Sequence, residues 1–373
     1  MKILLLRNVS DKINVNSYNV QEIGLAKALV RKGHECDIVL YTDEEKYRKE
    51  VIEFEQDRYI TLHWVKGISL YHNAIYIKLI RDKFFDHYDI IQTHEYNQIM
   101  TFLLPHITKT KKIIYHGPYN DIKNKFAHHL FDLLFLRNIK TNYSFILTKS
   151  NLARDYLKQK GFIHIKTVGV GLDTDKFKNT IQWEKSTFSK LQNKLGSSPT
   201  LLYIGKIEER RNIEFILKIL YELKKRIKFN FLLIGDGEEK YVKKCLDLIN
   251  QYDLKDTITY FSKIEQNEIR YAYETSRLFI FPSNYEIFGM VLLESLYFDC
   301  PVLSSYNGGA SVLLTNQYQN MIIHNFSVNE WVERIFQLLS NKDYANIKDY
   351  INRNFTWDSL ASTFIDIYSE IIE

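Results

Sequence analysis

Short apolar runs alternate with longer amphipathic segments along the whole chain. Apolar runs of this length predict buried strands, and the amphipathic segments predict helices that cover a sheet. Strands that alternate with helices favour parallel sheets covered on both faces, and we therefore expect an α/β fold. The predicted strands of the first half are Lys2–Leu6, Cys36–Tyr41, Ile60–Trp64, Asp89–Thr93, Lys112–His116, Ser144–Thr148 and Ile165–Val168. Those of the second half are Leu201–Ile204, Asn230–Ile234, Ile258–Phe261, Leu278–Phe281, Pro301–Ser304 and Met321–His324.

The pattern divides the chain into two halves. Tyr18–Lys32 is the first predicted helix, and Gly33 follows it as a C-cap glycine does. A polar stretch that ends in Gly196-Ser197-Ser198-Pro199 predicts a linker at 179–199, between a first domain at 1–178 and a second at 200–356. We expect two doubly wound Rossmann-like domains that face each other across a cleft at the carboxyl ends of both sheets.

Composition narrows the class of protein. A chain of 373 residues with 45% apolar and 25% charged residues is typical of a soluble globular protein of two domains. The widely separated Cys36, Cys245 and Cys300 disfavour a disulfide framework and a zinc site, which indicates a reduced cytosol. No apolar stretch is long enough to span a membrane, and the run before Arg7 is too short for a signal peptide. The aromatic residues are dispersed, so nucleic-acid binding is not expected.

Charge is uneven along the chain. Residues 1–178 contain 28 basic and 20 acidic side chains, and the remainder contain 22 and 25. A basic first half could favour an anionic surface or substrate, or it could be a solvated lysine-rich face. The apolar segment Phe126–Leu136 could be an interfacial helix, but we favour a core helix.

Two carboxylates carry the candidate chemistry. Seven residues separate Glu286 from Glu294, and a turn-like Pro282-Ser283-Asn284 precedes them. If the stretch from Phe288 is helical, its free N–H groups and positive dipole end would face a phosphate while the two acids reach hydroxyl groups. The alternative is one capping acid and one solvated acid on a helix.

Four further segments follow the order of a known family. Gly205-Lys206-Ile207 with Arg211-Asn212 resembles G-R-L-x-x-x-K-G, and Gly235-Asp236-Gly237 resembles a G-x-G loop. Phe281-Pro282-Ser283 leads into the Glu pair, and Pro301 to Gly309 resembles P-V-x-x-s-x-x-G-G. With the E-x7-E signature, these segments resemble the family-4 retaining glycosyltransferases, whose fold is GT-B.

The resemblance implies a role for each matching residue. Glu294 would bind the donor ribose and Glu286 the donor sugar hydroxyls, while Lys206 and Arg211 would stabilise charge on the leaving diphosphate. Lys206 stands where the family has Arg, and Arg211 where it has Lys, which puts the donor geometry in doubt. The remaining predicted donor-site residues are Phe288, Gly289 and Met290, through their backbone N–H groups, and Gly205, Gly235 and Gly237, through close backbone approach.

Weaker resemblances lie in the first half and at the C-terminus. His116 matches a position near the transferred sugar, and Asp89 to His94 resembles D-I-I-x-x-H. The stretch from Asn8 to Asn19 lacks the family's glycines, so acceptor recognition is the least transferable part of the resemblance. The resemblance also implies that the last helix, 357–373, returns to the first domain. We interpret Asp173-Thr174-Asp175 as a turn and not as a metal motif.

These observations predict a retaining, metal-independent transferase of the hexosyltransferase type. We expect the donor to be a nucleoside diphosphate sugar, and specifically a UDP-sugar. The donor is a substrate, and no cofactor and no metal are expected. The acceptor would be a glycan or lipid-linked sugar, as in cell-surface polysaccharide or glycoconjugate synthesis. We expect a cytoplasmic protein with peripheral contact to the inner face of the membrane. The alternatives are a non-catalytic GT-B partner subunit and a sugar epimerase or phosphorylase on the same scaffold.

Overall fold

A computed structural model describes residues 1–15, 20–120, 125–143, 145–340 and 346–373 of the chain. They form two compact units. The first consists of Met1–Asp173 together with Phe355–Glu373, and the second of Thr174–Asn354. No helix among these residues is long and apolar enough to cross a membrane.

The first unit is built on an eight-stranded sheet in the order β10-β9-β8-β7-β1-β2-β4-β3. Its strands are parallel except for the antiparallel pair β3 and β4 at one edge, and β5 and β6 form a separate hairpin. The strands are β1 (Lys2–Leu6), β2 (Glu35–Thr42), β3 (Arg48–Glu55), β4 (Arg58–Lys66), β5 (Ile68–Leu70), β6 (Asn73–Ile75), β7 (Ile90–His94), β8 (Lys111–His116), β9 (Ile146–Thr148) and β10 (Ile165–Thr167).

Helices cover this sheet and bury its apolar side chains. They are α1 (Gln21–Arg31), α2 (Ile77–Arg81), α3 (Ile99–Ile107), α4 (Lys125–Phe131), α5 (Arg137–Asn142) and α6 (Asn151–Gln159), with a π-helical turn, Asp132–Leu136, between α4 and α5. The strands β1, β7 and β8 are almost completely buried, as strands covered on both faces are. The α1 helix ends as expected, because Gly33 has a φ of +86° and donates its N–H to Val30.

The second unit has a six-stranded, fully parallel sheet in the order β13-β12-β11-β14-β15-β16. Its strands are β11 (Thr200–Ile204), β12 (Asn230–Ile234), β13 (Ile258–Phe261), β14 (Leu278–Phe281), β15 (Val302–Ser305) and β16 (Ile322–Ile323). Its helices are α7 (Thr187–Leu195), α8 (Ile213–Lys224), α9 (Glu239–Gln251), α10 (Ile269–Glu274), α11 (Met290–Tyr297), α12 (Ala310–Leu313), α13 (Val328–Ser340) and α14 (Ile347–Asn354).

The last helix, α15 (Trp357–Ile372), packs on α1 in the first unit. Thr356 and Ser359 form a capping box at its start. A Cβ atom at Gly24 would lie 2.2 Å from Trp357 Cδ1, and one at Gly171 would lie 2.6 Å from the Trp357 nitrogen. The two glycines therefore provide the space into which the Trp357 ring fits.

Each predicted strand has an observed counterpart, and the parallel α/β prediction is confirmed. The predicted starts at Tyr18 and Ser144 lie outside the described residues. The strand β3 was not predicted, because its edge position leaves most of its charged side chains in solvent. The segment interpreted as a linker is folded instead: α7 buries Phe188, is capped by Ser186 and belongs to the second unit. Its polar composition reflects the solvent side of an amphipathic helix.

Candidate functional site

Glu294 is a buried carboxylate on α11. The Tyr273 hydroxyl donates a hydrogen bond of 2.9 Å to Glu294 Oε2, whereas Oε1 has no partner among the described residues. Burial raises the pKa of Glu294 well above its usual range. A buried oxygen without a donor is costly, so this position is suited to a ligand that brings a hydroxyl group. The alternative of a solvated helix acid at Glu294 is wrong, because the side chain is buried.

Glu286 is held by two neighbouring arginines. Arg211 Nη1 lies 2.5 Å from Glu286 Oε1. Arg210 bonds the same carboxylate oxygen and also donates to the carbonyl of Tyr285 at 2.8 Å. Glu208 also pairs with both arginines, because its Oε1 lies 2.7 Å from Arg210 Nη2 and 3.6 Å from Arg211 Nε, so two carboxylates balance the two guanidinium groups. The guanidinium N–H groups are donors of the kind that bind phosphate oxygens. Sequence reasoning missed Arg210, although the Arg210-Arg211 pair is visible in the sequence.

Lys206 is not part of this cluster. Its side chain is exposed and has no ion pair among the described residues, and its carbonyl accepts a 2.7 Å hydrogen bond from the Tyr203 hydroxyl. Arg211 is largely buried and lies 5.0 Å from the centre of the Phe281 ring. The structure therefore brings Arg211, but not Lys206, to Glu286.

The predicted glycine turns pack against each other. Gly205 and Gly235 both have a φ of +147°, and a Cβ atom at Gly235 would lie 1.8 Å from the Gly205 carbonyl oxygen. A Cβ atom at Gly237 would lie 1.9 Å from the carbonyl oxygen of Ile207. The glycines after β12 are therefore required for contact between the two turns. Their approach to a donor stays a prediction.

A second glycine pair supports the loop that carries Glu286. Gly308 donates its N–H to the Glu286 carbonyl at 3.0 Å, and a Cβ atom at Gly309 would lie 1.6 Å from the Phe288 oxygen. The helix α11 begins at Met290, after Gly289 with a φ of +77°, and not at Phe288 as the sequence predicts. Among the described residues, the N–H groups of Phe288, Gly289 and Met290 donate no hydrogen bond. These groups are free to bind an anion at the helix start.

In the first unit, His116 is paired with a carboxylate that sequence reasoning missed. His116 Nδ1 lies 2.5 Å from Glu95 Oε2, which also accepts the Gly117 N–H at 3.0 Å. Burial opposes ionisation, but the charge of His116 and its hydrogen bond lower the pKa of Glu95 to about 2. His116 Nε2 is buried and has no partner among the described residues. The His94-Glu95 dipeptide at the end of a predicted strand was the available signal.

A second buried ion pair lies at the same edge of the first sheet. Arg7 Nη1 lies 2.8 Å from Glu22 Oε1, and His94 Nε2 lies 3.6 Å from the same oxygen. Burial raises the pKa of Glu22, but the charges of Arg7 and His94 bring it to about 2. Burial lowers the pKa of His94 to about 4. Arg7, His94 and His116 stand at the carboxyl ends of parallel strands, where α/β sheets bind ligands.

The Asp-x-Asp segment forms a turn. Asp175 lies in a short 3₁₀ helix, Thr174–Phe177, and pairs with Lys178 at 2.6 Å, while Asp173 lies 3.6 Å from Lys27. Within the described ranges, no three His, Cys, Asp or Glu side chains are grouped so that they could hold a metal ion.

Two protein-family models match this chain. The model for Glycosyltransferase Family 4 matches residues 23–176, and that for Glycosyl transferases group 1 matches residues 184–354. The chain belongs to the family-4 glycosyltransferases. The resemblance inferred from the E-x7-E segment is therefore confirmed.

Proteins similar to this glycosyltransferase match it over nearly its whole length. An uncharacterized glycosyltransferase of Methanocaldococcus jannaschii is 20% identical over 375 aligned residues, which cover 94% of this chain and 93% of the relative. The structure of sucrose-phosphate synthase from Thermosynechococcus elongatus has a TM-score of 0.74 at 16% identity and covers 100% and 99% of the two chains. Anabaena HepE, in complex with UDP and glucose, has a TM-score of 0.72 at 14% identity and covers 99% and 100%. The family-4 glycosyltransferase therefore has the predicted GT-B fold.

Proposed function

We propose that this glycosyltransferase moves a sugar, with retention of anomeric configuration, from a UDP-sugar to a hydroxyl group of a glycan or lipid-linked acceptor. The observation that carries the proposal is the buried Glu294 carboxylate, with one hydroxyl partner and one free oxygen. A ribose offers adjacent hydroxyl groups that can donate to that oxygen. The crystal structure of Anabaena HepE, which has the same fold, is a complex with UDP and glucose, and this supports a UDP donor here.

The diphosphate would bind at the arginine pair beside Glu286. Arg210 and Arg211 share one carboxylate there, and the free N–H groups of Phe288, Gly289 and Met290 lie in the same loop. Phosphate oxygens can take guanidinium hydrogen bonds and the helix-start N–H groups together. Exposed Lys206 would complete the site from the turn after β11. When Arg210 and Arg211 also bind the phosphate, the Glu286 carboxylate would bind the hydroxyl groups of the donor sugar.

The proposed chemical step uses these hydrogen-bond donors and Lys206. The acceptor oxygen attacks the anomeric carbon on the face from which the diphosphate leaves. The bond between the anomeric carbon and the diphosphate oxygen breaks, and that oxygen takes the acceptor proton. Arg211 and Lys206 stabilise the negative charge that develops on the diphosphate. Since these cations and the helix start supply the stabilisation, we propose a reaction that needs neither a metal ion nor a cofactor.

We also propose a contact between His116 and the transferred sugar, with Glu95 fixing the imidazole ring. The proposed setting is the cytoplasm, which suits a nucleotide-sugar donor and the three unpaired cysteines of the chain. The proposed role is synthesis of a polysaccharide or glycoconjugate.

Thermal unfolding with UDP, GDP, ADP and CMP, each with and without EDTA, tests the donor site. A nucleotide at 100 times its Kd stabilises the folded state by about 2.7 kcal/mol, which raises the melting temperature measurably. We expect a shift with UDP that EDTA does not change, that Glu294→Gln abolishes and that Asp247→Asn, an exposed acid of the same unit, retains. No shift with any nucleotide would refute the proposal and favour a non-catalytic subunit.

A further inference from the structure

An exposed apolar surface lies on the helical segment that joins β8 to β9. The segment runs from Lys125 to Asn142 through α4, the π-helical turn and α5. Four large apolar side chains on it are 80%, 44%, 75% and 60% exposed: Phe126, Leu130, Leu133 and Leu134. They follow one another at intervals of four, three and one residues, so they share one side of the helix. Arg137 and Lys140 continue the same spacing, and both are exposed. We call these six residues the apolar-basic face.

The opposite side of the segment already belongs to the core. Ile139 is fully buried beside Tyr96 and Tyr143, and Phe131, Phe135 and Leu136 pack against the same cluster. A helix that is apolar on both sides is normally surrounded by protein or lies in a lipid environment. The prediction of a core helix at Phe126–Leu136 is therefore correct for the side that packs on this cluster. It is wrong for the apolar-basic face, which is exposed.

The exposed charged side chains of the segment are all basic. Lys125, Arg137 and Lys140 are exposed basic residues of the segment. Its single acidic residue, Asp132, lies 2.5 Å from Lys160 Nζ, so its charge is neutralised locally. Exposed leucine and phenylalanine side chains flanked by lysine and arginine are complementary to an anionic lipid surface.

We propose that the apolar-basic face docks this protein on an anionic lipid bilayer. The segment would lie in the plane of the interface, with its phenylalanine and leucines among the acyl chains and its basic residues at the headgroups. A second copy of the chain is a poorer occupant. Large apolar side chains bury roughly 200 Å² each, so four partly exposed ones offer less than the ~800 Å² per partner of a standard interface.

The docking goes beyond the proposed function and does not depend on it. The donor site lies in the second unit, whereas the apolar-basic face lies in the first. Membrane binding can therefore be lost while nucleotide binding is retained. It would place the acceptor-side unit at a membrane surface and so favour acceptors that are lipid-linked.

Vesicle flotation of the full chain tests the proposal, with phosphatidylcholine vesicles and with phosphatidylcholine vesicles that contain phosphatidylglycerol. We expect binding to the anionic vesicles only, and weaker binding at high salt. The triple variant Phe126→Ser, Leu133→Ser, Leu134→Ser should bind at least about tenfold more weakly, since each substitution removes apolar area from the lipid contact. The variant Lys125→Ser, Arg137→Ser, Lys140→Ser should lose the preference for anionic vesicles.

A matched control removes exposed apolar side chains elsewhere in the first unit. The triple variant Val51→Ser, Ile68→Ser, Tyr71→Ser should bind like the parent. Melting curves and the UDP shift of each variant show whether the fold and the donor site are intact. Absence of parent binding to anionic vesicles, or equal binding by the apolar variant, would overturn the proposal. A parent dimer that the apolar variant converts to a monomer, with vesicle binding unchanged, would assign the face to self-association instead.

Discussion

The Glu95 carboxylate lies 2.5 Å from Nδ1 of His116 and fixes the imidazole at the carboxyl edge of the first sheet. Glu95 itself adopts a left-handed backbone conformation, with a φ of +56°, and its carboxylate also accepts the Gly117 N–H. A non-glycine residue in that region carries strain that the surrounding structure must hold. The geometry therefore fixes one ring nitrogen of His116, while the buried Nε2 has no hydrogen-bond partner among the described residues.

If His116 contacts the transferred sugar, Glu95→Gln should lower turnover by up to about 100-fold, because a displacement of about 1 Å at a reacting group can cost that much. The UDP-induced melting shift should be unchanged, since the proposed nucleotide contacts lie in the second unit. Glu370→Gln, an exposed acid on α15, is the matched control. Parent-like turnover of Glu95→Gln in steady-state assays would eliminate the positioning role.

Glu294 should make stability depend on pH in a defined direction. Burial raises the pKa of this carboxyl group, so its ionisation destabilises the folded state. The stability associated with its protonated form is complete below the ordinary Glu pKa and is lost as the pH rises towards the folded-state pKa. The Glu294→Gln variant has no ionisable group at this position, so it does not lose this stability as the pH rises. We expect the variant and the parent to melt alike near pH 4, and the variant to be more stable by about 1–3 kcal/mol at pH 8.

Melting curves from pH 4 to pH 8 measure this difference, with Asp247→Asn as the control that should follow the parent throughout. A Glu294→Gln variant that is less stable than the parent at pH 8 would contradict the assignment of a buried carboxyl group whose ionisation destabilises the fold.

The sequence predicted the fold and the position of the Glu286 and Glu294 segment, because both follow from local patterns. Strands and helices follow apolar periodicity, and the two acids lie within one loop and one helix. Glu95 was not identified, because its role depends on contact with His116, which is distant in sequence. Burial of Glu294 was also missed, because it depends on the packing of Tyr273 against α11. The α7 segment was wrongly predicted to be a linker, because its composition is mostly polar although one side of the helix is apolar and buried.

The arginines beside Glu286 should dominate turnover. Removing one group that stabilises developing charge typically costs about 2.7 to 4 kcal/mol, or about 100-fold to 1,000-fold in turnover. We expect this loss for Arg211→Ala and for Lys206→Ala, with folding retained. Arg210→Ala should weaken the UDP shift as well, because Arg210 also donates to the Tyr285 carbonyl and so positions the loop. Lys218→Ala, an exposed lysine on α8, is the control.

Steady-state rates and melting shifts separate these outcomes. Near-normal turnover of Arg211→Ala would remove it from the proposed chemistry. The same result for Lys206→Ala alone would remove Lys206 from the proposed chemistry and confine the charge stabilisation to the arginine pair.

Gly309 should be required for the donor site through packing alone. Its backbone is right-handed helical, so an added methyl group meets no conformational penalty, but a Cβ atom would lie 1.6 Å from the Phe288 carbonyl oxygen. Backbone atoms cannot yield as a flexible side chain does, so Gly309→Ala must displace Phe288 and the neighbouring Glu286. We expect a loss of about 1–3 kcal/mol in stability and loss of the UDP shift.

Gly33→Ala is the informative comparison, because it imposes backbone strain without a steric clash, whereas Gly309→Ala imposes a clash without backbone strain. Gly33 has a φ of +86°, and no atom lies within 4 Å of an added Cβ. We expect it to cost about 1–2 kcal/mol through backbone strain and to leave the UDP shift intact. If Gly309→Ala kept the full UDP shift while losing similar stability, contact between Gly309 and the Glu286 loop would not control the donor site, and the glycine pair would serve folding only.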